Sequence, residues 1–369
     1  MSFAKTRLWQ DMQPASSASR AAVSTALRSA AASSAAACSA RSTRRWASSA
    51  ATARLLKDAG CRVPLLCGPM YPGSNPELVA AVSRAGALGI VQPLSLTHLY
   101  GYDFREGLRK VKAEADGRPF GVNITIVPDK RYMKRVDEWM RVALEEGVKF
   151  FLTSLGKPDA LVKLAHDHGA KVYHDVHTAE LARRAAGAGA DGVNLLNDRM
   201  GGQTGATDPF ALLDEVAKLD LGVPLVCSGG VADEAAFAAA LDRGYGGCMM
   251  GTRFLATDEC AVSDAYKAAI VASGEADIVY TNKLAGTKSS VIRTPTIEAG
   301  GLNVNPLFGF LLKQPMTKNL MRVFLLQRSL ANYKDTTLEI WQAGKGVGAI
   351  DRVEPVAAVV DRFAAQLAR

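Results

Sequence analysis

From residue 63 onward the chain alternates short apolar runs with amphipathic segments eight times, and few folds accommodate that repetition. The runs are 63–70, 88–92, 120–127, 149–154, 171–176, 192–197, 224–227 and 248–250. Helical patterns lie between them, at 75–85, 130–146, 159–168, 178–188 and 208–219 among others, mostly closed by glycine. Short unbroken apolar runs are what strands covered on both faces show. Eight βα units with short loops imply an α/β fold, a closed parallel (β/α)8 barrel over residues 51–274. The competing arrangement is an open doubly wound sheet, which wants a GxGxxG fingerprint at its first turn. The first turn here reads CGPMYPGSNP.

The last two units carry the sharpest signal. PLVCSGGVADEAAFAAALDRGYGGCMMGTRF spans residues 224–254 and reads as strand, glycine turn, helix, strand, glycine turn. Asp233 is placed to cap the helix and Gly244 to end it. The strands stop at Gly229-Gly230 and Gly251-Thr252, where bare backbone N–H groups gather around one small volume. In such a barrel the loops after the seventh and eighth strands hold a phosphate.

Chemistry in a barrel belongs at the strand ends. The first strand ends near Pro69, Met70 and Tyr71, a backbone stretch able to run beside a flat ring. Asn123 sits inside the third strand and offers an amide either to a heteroaromatic edge or to a core partner. His174 and His177 end the fifth strand, on opposite faces by alternation. The sixth leads into Gly201-Gly202-Gln203, a loop with Gln203 as a neutral donor and acceptor. Six cysteines and five histidines show no zinc spacing, and Cys227 and Cys248 read as buried small hydrophobes.

Past residue 254 the pattern breaks. Residues 275–335, with scattered Pro and Gly and short apolar helices, read as a small, mainly helical lobe. Such a lobe suits either closing a substrate pocket or forming an oligomer surface, for instance a homodimer. Residues 336–369 return to the barrel through AGKGVG and a final helix at 355–368.

The formal net charge of +8 suggests a nucleic-acid partner until it is divided along the chain. Residues 1–50 hold seven basic groups against the single acid Asp11, which is six of the eight charges. The remaining +2 leaves no basic footprint for nucleic acid. That first segment is rich in Ala and Ser and nearly free of acids, the composition of an organelle transit peptide, mitochondrial with cleavage after Trp46 or else chloroplast. No apolar run approaches the roughly 20 residues a membrane span requires.

Taken together, P-M after the first strand, FGVN on the third, Gly-Gly-X-X-Gly after the sixth, SGG after the seventh and MGTRFLAT after the eighth resemble the nitronate monooxygenase family. Flavin-type enoyl-acyl-carrier-protein reductases are related to it. The resemblance implies an FMN-binding barrel with a small helical lobe. It places the FMN phosphate on Gly229, Gly230, Gly251 and Thr252, and the ring near Pro69, Met70, Tyr71, Asn123, Gly201 and Gly202.

Three departures bear on catalysis. Gln203 stands where the family usually has His, and Gln has no usable pKa. Asp175 follows His174 where the family has Lys, and Lys345 replaces a Gln. The expected activity is FMN-dependent oxidation of alkyl nitronates with O2, with Gln203 hydrogen-bonding the nitro oxygens, Lys345 balancing their charge, and His174 or His177 as the fallback base. The alternatives are an NAD(P)H-dependent flavin reductase acting on quinones or enoyl thioesters, and a flavin-binding barrel without catalysis.

Overall fold

The first eight alternations become eight parallel strands that close on themselves. In the computed structural model, which describes residues 49–367 apart from 285, 315, 318, 319, 322, 323 and 326–338, these are β1 (Leu65–Cys67), β2 (Leu88–Val91), β3 (Gly121–Thr125), β4 (Phe150–Ser154), β5 (Lys171–Val176) and β6 (Gly192–Leu196). A two-residue strand, β7 (Gly202–Gln203), leaves the barrel before β8 (Leu225–Ser228) and β9 (Gly247–Met250) complete it. Closure is made by β9 pairing with β1, Leu66 opposite Met249. The expected first strand, 63–70, is shorter because Gly68 and Pro69 already belong to the turn. Of the expected transit peptide, residues 1–48 lie outside the described residues, and Ser49 and Ala50 open the helix Ala50–Ala59.

Every second side chain of each strand points to the barrel axis. Leu66, Ile90, Leu152, Tyr173, Val226 and Met249 meet there in one apolar cluster. The helix Ala50–Ala59, which the sequence pattern did not mark, adds Leu55 and Ala59 to that cluster. Leu55 is fully buried, and its side chain fills the space where a Cβ on Gly247 would stand. The helix therefore plugs the end where the strands begin. Arg54 Nη1 donates to Gly222 O at 2.7 Å, and Asp58 Oδ2 accepts from Tyr173 OH at 3.2 Å. With that end sealed, the opposite end is left for ligands. Burying a Leu side chain completely contributes about 1.5–3 kcal/mol.

The helical layer follows its sequence signals closely. Glu234–Arg243 starts where the Asp233 carboxylate accepts from Ala236 N at 2.7 Å and ends at Gly244, φ 114°. The last described helix is Val356–Leu367. Among the described residues no helix is long and apolar enough to cross a membrane.

The lobe differs from the mainly helical expectation in one respect. Its centre is a three-stranded antiparallel sheet in the order β10 (Ile278–Thr281), β11 (Ser289–Ile292), β7. Ser289 pairs with Gln203 and Ser290 with Gly202, so the stretch expected as a free loop after β6 is an edge strand of the lobe. IVYT and SSVI are β-branched runs, hidden in the sequence by the Gly and Pro around them. The helices Pro295–Gly300 and Pro306–Lys313 flank this sheet in sequence.

Candidate active site

A cleft of about 480 Å3 opens at the C-terminal ends of the strands, between the βα loops and the lobe. Its size suits one cofactor or drug-sized molecule. Pro69, Met70, Tyr71, Asn123, His174, His177, Gly201, Gly202, Gln203, Gly229, Gly230, Gly251 and Thr252 all line it. Lys345 does not: its Nζ lies 3.9 Å from Asp198 Oδ2, 4.0 Å from Glu275 Oε1 and 5.8 Å from the Tyr280 ring centre. Charge balance for a bound anion is therefore not supplied by Lys345 in this arrangement.

The cleft floor is polar, and register explains why. Leu152 and Tyr173 point to the axis, so Ser154 and Asp175, two residues further on, point there as well. Asn194 pairs with Asp175 across the β5–β6 ladder. Ser154 Oγ donates to Asp175 Oδ2 at 2.6 Å, and Asn194 Nδ2 donates to Asp175 Oδ1 at 2.6 Å. Asn123 Nδ2 donates to Leu152 O at 2.9 Å and to Ser154 Oγ at 3.0 Å. The amide hydrogens of Asn123 are thus engaged by Leu152 O and Ser154 Oγ rather than aimed at a ring edge. Burial is the largest influence on Asp175 and pushes its pKa up to about 6, against the lowering effect of its two hydrogen bonds. In the sequence Asp175 shows only as a departure from the family pattern; its inward period is the signal that places it in the cleft.

His174 lies on the other face of β5. Its Nδ1 is 2.8 Å from Thr153 Oγ1, and burial lowers its pKa to about 4, so it is neutral near pH 7. It still borders the cleft together with His177, which is exposed at the strand end. The expectation that alternation places the two on opposite faces does not keep them out of one cleft, since both line it.

The glycine turns provide donors. Among the described residues no hydrogen bond occupies the backbone N–H of Gly229, Gly230 or Gly251. Gly229 and Gly230 adopt φ of 116° and 81°, a region that suits glycine. Asn197, fully buried and not singled out from sequence, ties two loops together: its Nδ2 donates to Gly229 O at 3.0 Å and its Oδ1 accepts from Arg199 N at 2.9 Å. The Thr252 hydroxyl oxygen accepts from Gly344 N at 3.0 Å, leaving its own hydrogen to donate. Free N–H groups over two adjacent strand ends fit a phosphomonoester and the negative charge it carries.

A barrel with its cleft at this end and a phosphate cradle after the last two strands defines a class of cofactor-binding enzyme barrels. A family model described as nitronate monooxygenase matches residues 53–366, and the chain belongs to that family of oxidoreductases. A (3aS,4S,5R,7aS)-5-hydroxy-7a-methyl-1-oxo-octahydro-1H-indene-4-carboxyl-CoA dehydrogenase of Mycobacterium tuberculosis is 33% identical over 224 residues, 60% of this chain. The match spans 61% of that relative's length, less than two thirds of it. A probable nitronate monooxygenase of Staphylococcus saprophyticus is 27% identical over 267 residues, 61% of this chain and 74% of its own. The solved structure of FabK from Thermotoga maritima is 30% identical, with a TM-score of 0.68, covering 85% of this chain and 96% of that one.

Proposed function

We propose that the cleft holds FMN and that the protein oxidises alkyl nitronates with O2. The observation that supports this reading is the set of unengaged N–H groups at Gly229, Gly230 and Gly251, where two glycine turns after β8 and β9 offer donors to a single phosphate. Thr252 would add its hydroxyl to that phosphate, and Pro69, Met70, Gly201 and Gly202 would border the ring. What FMN would supply there is a two-electron acceptor that O2 can reoxidise. The chain's own part is to orient the substrate and keep water out. Gln203 is exposed at the cleft wall, free to donate to the nitro oxygens, and its backbone is fixed by pairing with Ser289. Membership of the nitronate monooxygenase family supports the substrate class.

A second reading, an NAD(P)H-linked flavin enzyme acting on a thioester, is favoured by the CoA dehydrogenase named above. One experiment separates the two. The purified protein is examined by visible spectroscopy, its flavin is released and identified, and the sample is titrated anaerobically with ethyl nitronate, NADH and NADPH. Bleaching by the nitronate alone supports the first reading, and bleaching by NADH or NADPH the second. Colourless protein that does not take up FMN rules out both. We further propose that residues 1–50 direct the chain to a mitochondrion, which a mature N-terminus at Ala47 would support.

A further inference from the structure

Asp175 has no part in the reading above, yet it sits on the cleft floor with its surroundings arranged around it. Ser154 Oγ and Asn194 Nδ2 each donate to it at 2.6 Å. Ser154 in turn accepts from Asn123, so its single hydrogen is directed at the carboxylate. Asn194 Oδ1 is buried without a hydrogen-bond partner among the described residues. Turned over, that amide would accept from a protonated Asp175 through the same short contact. The site therefore accommodates the acid and its conjugate base. A group that gains and loses a proton in turnover requires both.

The other candidates for proton transfer are less suited. Gln203 does not titrate. His174 is held neutral by burial, with Nδ1 against Thr153, and is too weak a base to take a proton near pH 7. Arg199, which lines the cleft from the loop after β6, is spent on Glu275 at 2.7 and 3.0 Å. Tyr71 borders the cleft from the loop after β1 and Tyr266 from the helix Asp264–Ala272, and His177 stands exposed just past the end of β5. Met249 faces Asn194 from β9 and carries no charge.

We propose that Asp175 is the catalytic proton acceptor of this cleft, acting on a substrate that enters as a neutral carbon acid, a nitroalkane. The inference rests on the proposed nitronate chemistry and places the formation of the nitronate inside the protein. In the step, the C–H bond next to the nitro group breaks, its electron pair stays on the substrate as the nitronate, and the proton passes to an Asp175 oxygen. No electron leaves the substrate at this stage. A carboxylate of pKa about 6 is ionised at pH 7 and still basic enough to serve. A preformed nitronate would have to approach that carboxylate against like charge, whereas the neutral nitroalkane meets no such repulsion.

The test uses flavin-loaded wild-type, Asp175→Asn and Asp175→Glu proteins, with circular dichroism to confirm folding. Anaerobic flavin bleaching is timed with nitroethane and with preformed ethyl nitronate. The expected result is a fall of about 10² to 10⁴ in the nitroethane-to-nitronate rate ratio for Asp175→Asn, partial recovery in Asp175→Glu, and a wild-type nitroethane rate that rises with pH around 6. A ratio equal to that of the wild type overturns the proposal, as does an unmoved pH profile. Should neither compound bleach the wild type, the nitronate reading has failed, and deuterium exchange at the nitroethane α-carbon, followed by NMR, decides on Asp175 without any electron transfer. Exchange faster with wild type than with Asp175→Asn then supports the assignment, and equal exchange overturns it.

Discussion

Gly201 and Gly344 meet backbone to backbone: a Cβ on either would lie 2.7 Å from the amide nitrogen of the other. This contact brings the C-terminal return against the loop after β6. It is reinforced by Lys345 N donating to Arg199 O at 3.0 Å and by Gly344 N donating to Thr252 Oγ1. Because the obstructing atoms are main chain on both sides, the clash cannot be relieved by a rotamer change. Gly344→Ala is expected to destabilise the protein by roughly 1–3 kcal/mol, as overpacking does, and to weaken flavin retention by displacing the wall of the cleft. Thermal melting together with the flavin-to-protein absorbance ratio checks both parts.

Gly229 and Gly251, two of the three glycines of the proposed phosphate cradle, are not equivalent probes. A Cβ on Gly229 would stand 2.4 Å from Asn197 Oδ1 and 2.6 Å from Met200 N, at a φ of 116°. Substitution there distorts the loop itself, whatever binds to it. At Gly251 a Cβ would meet only Met70, with Sδ at 3.2 Å, the movable end of a flexible side chain. Gly251→Val is therefore expected to keep the fold and its melting temperature within a few degrees while flavin content falls at least tenfold. Flavin content equal to wild type would remove Gly251 from the cradle.

Asp175 should cost stability at neutral pH. Its pKa in the folded protein is about 6 against 3.8 in an unhindered chain, so the native state holds the proton more tightly than the unfolded state does. Stability is then lost as pH rises through that window, and the full cost applies above about pH 6. Two pH units correspond to about 3 kcal/mol. Asp175→Asn is expected to raise the stability of the flavin-free protein by up to that amount at pH 8 and to leave it almost unaltered below pH 4. Urea unfolding at the two pH values provides the comparison.

His174 works in the opposite direction. Its pKa falls from 6.5 to about 4 because the buried ring disfavours charge, so the unfolded state is protonated first as pH drops. Stability is complete above pH 6.5 and is lost on acidification toward pH 4, by about 3 kcal/mol. His174→Asn is expected to flatten this acid limb while lowering stability at pH 7 through the smaller side chain. A melting series between pH 4 and pH 7.5, wild type against variant, reads the difference in slope.

Most of the barrel is legible in the sequence because a strand covered on both faces must be a short apolar run, and eight such runs leave little choice. The Gly229-Gly230 and Gly251-Thr252 turns were readable for the same reason: a strand that stops at glycine exposes its amides. Residues whose role depends on contacts far along the chain were not readable. Asn197 ends an ordinary run, and nothing local says that it will hold Gly229 from 32 positions away. Leu55 lies in a helix that becomes a plug only once Gly247 is beside it. Lys345 resembles a site residue by its place in AGKGVG, but its ammonium turns toward Asp198 and Glu275.

Gln203 offers the last test, because it stands where the family usually has His while Asp175 lies on the floor of the same cleft. An amide has no titration near neutrality, so the wild-type pH profile owes nothing to this side chain. A histidine at the same exposed position would escape the burial that lowers His174 and would titrate near its ordinary value of about 6.5. In the presence of Asp175, Gln203→His is expected to change nitroethane turnover little, since one general base already serves. In an Asp175→Asn background the same substitution is expected to restore about ten- to a hundredfold of the lost rate, part of the 10² to 10⁴ that general-base catalysis contributes. The recovered activity should follow an apparent pKa near 6.5 rather than 6, and turnover of preformed ethyl nitronate should show no comparable gain. kcat/KM against pH for the two single variants, the double variant and the wild type, with both substrates, measures this. A double variant no faster with nitroethane than Asp175→Asn alone would show that a base at position 203 does not reach the acidic carbon, leaving Gln203 a wall residue whose amide contacts only the nitro oxygens.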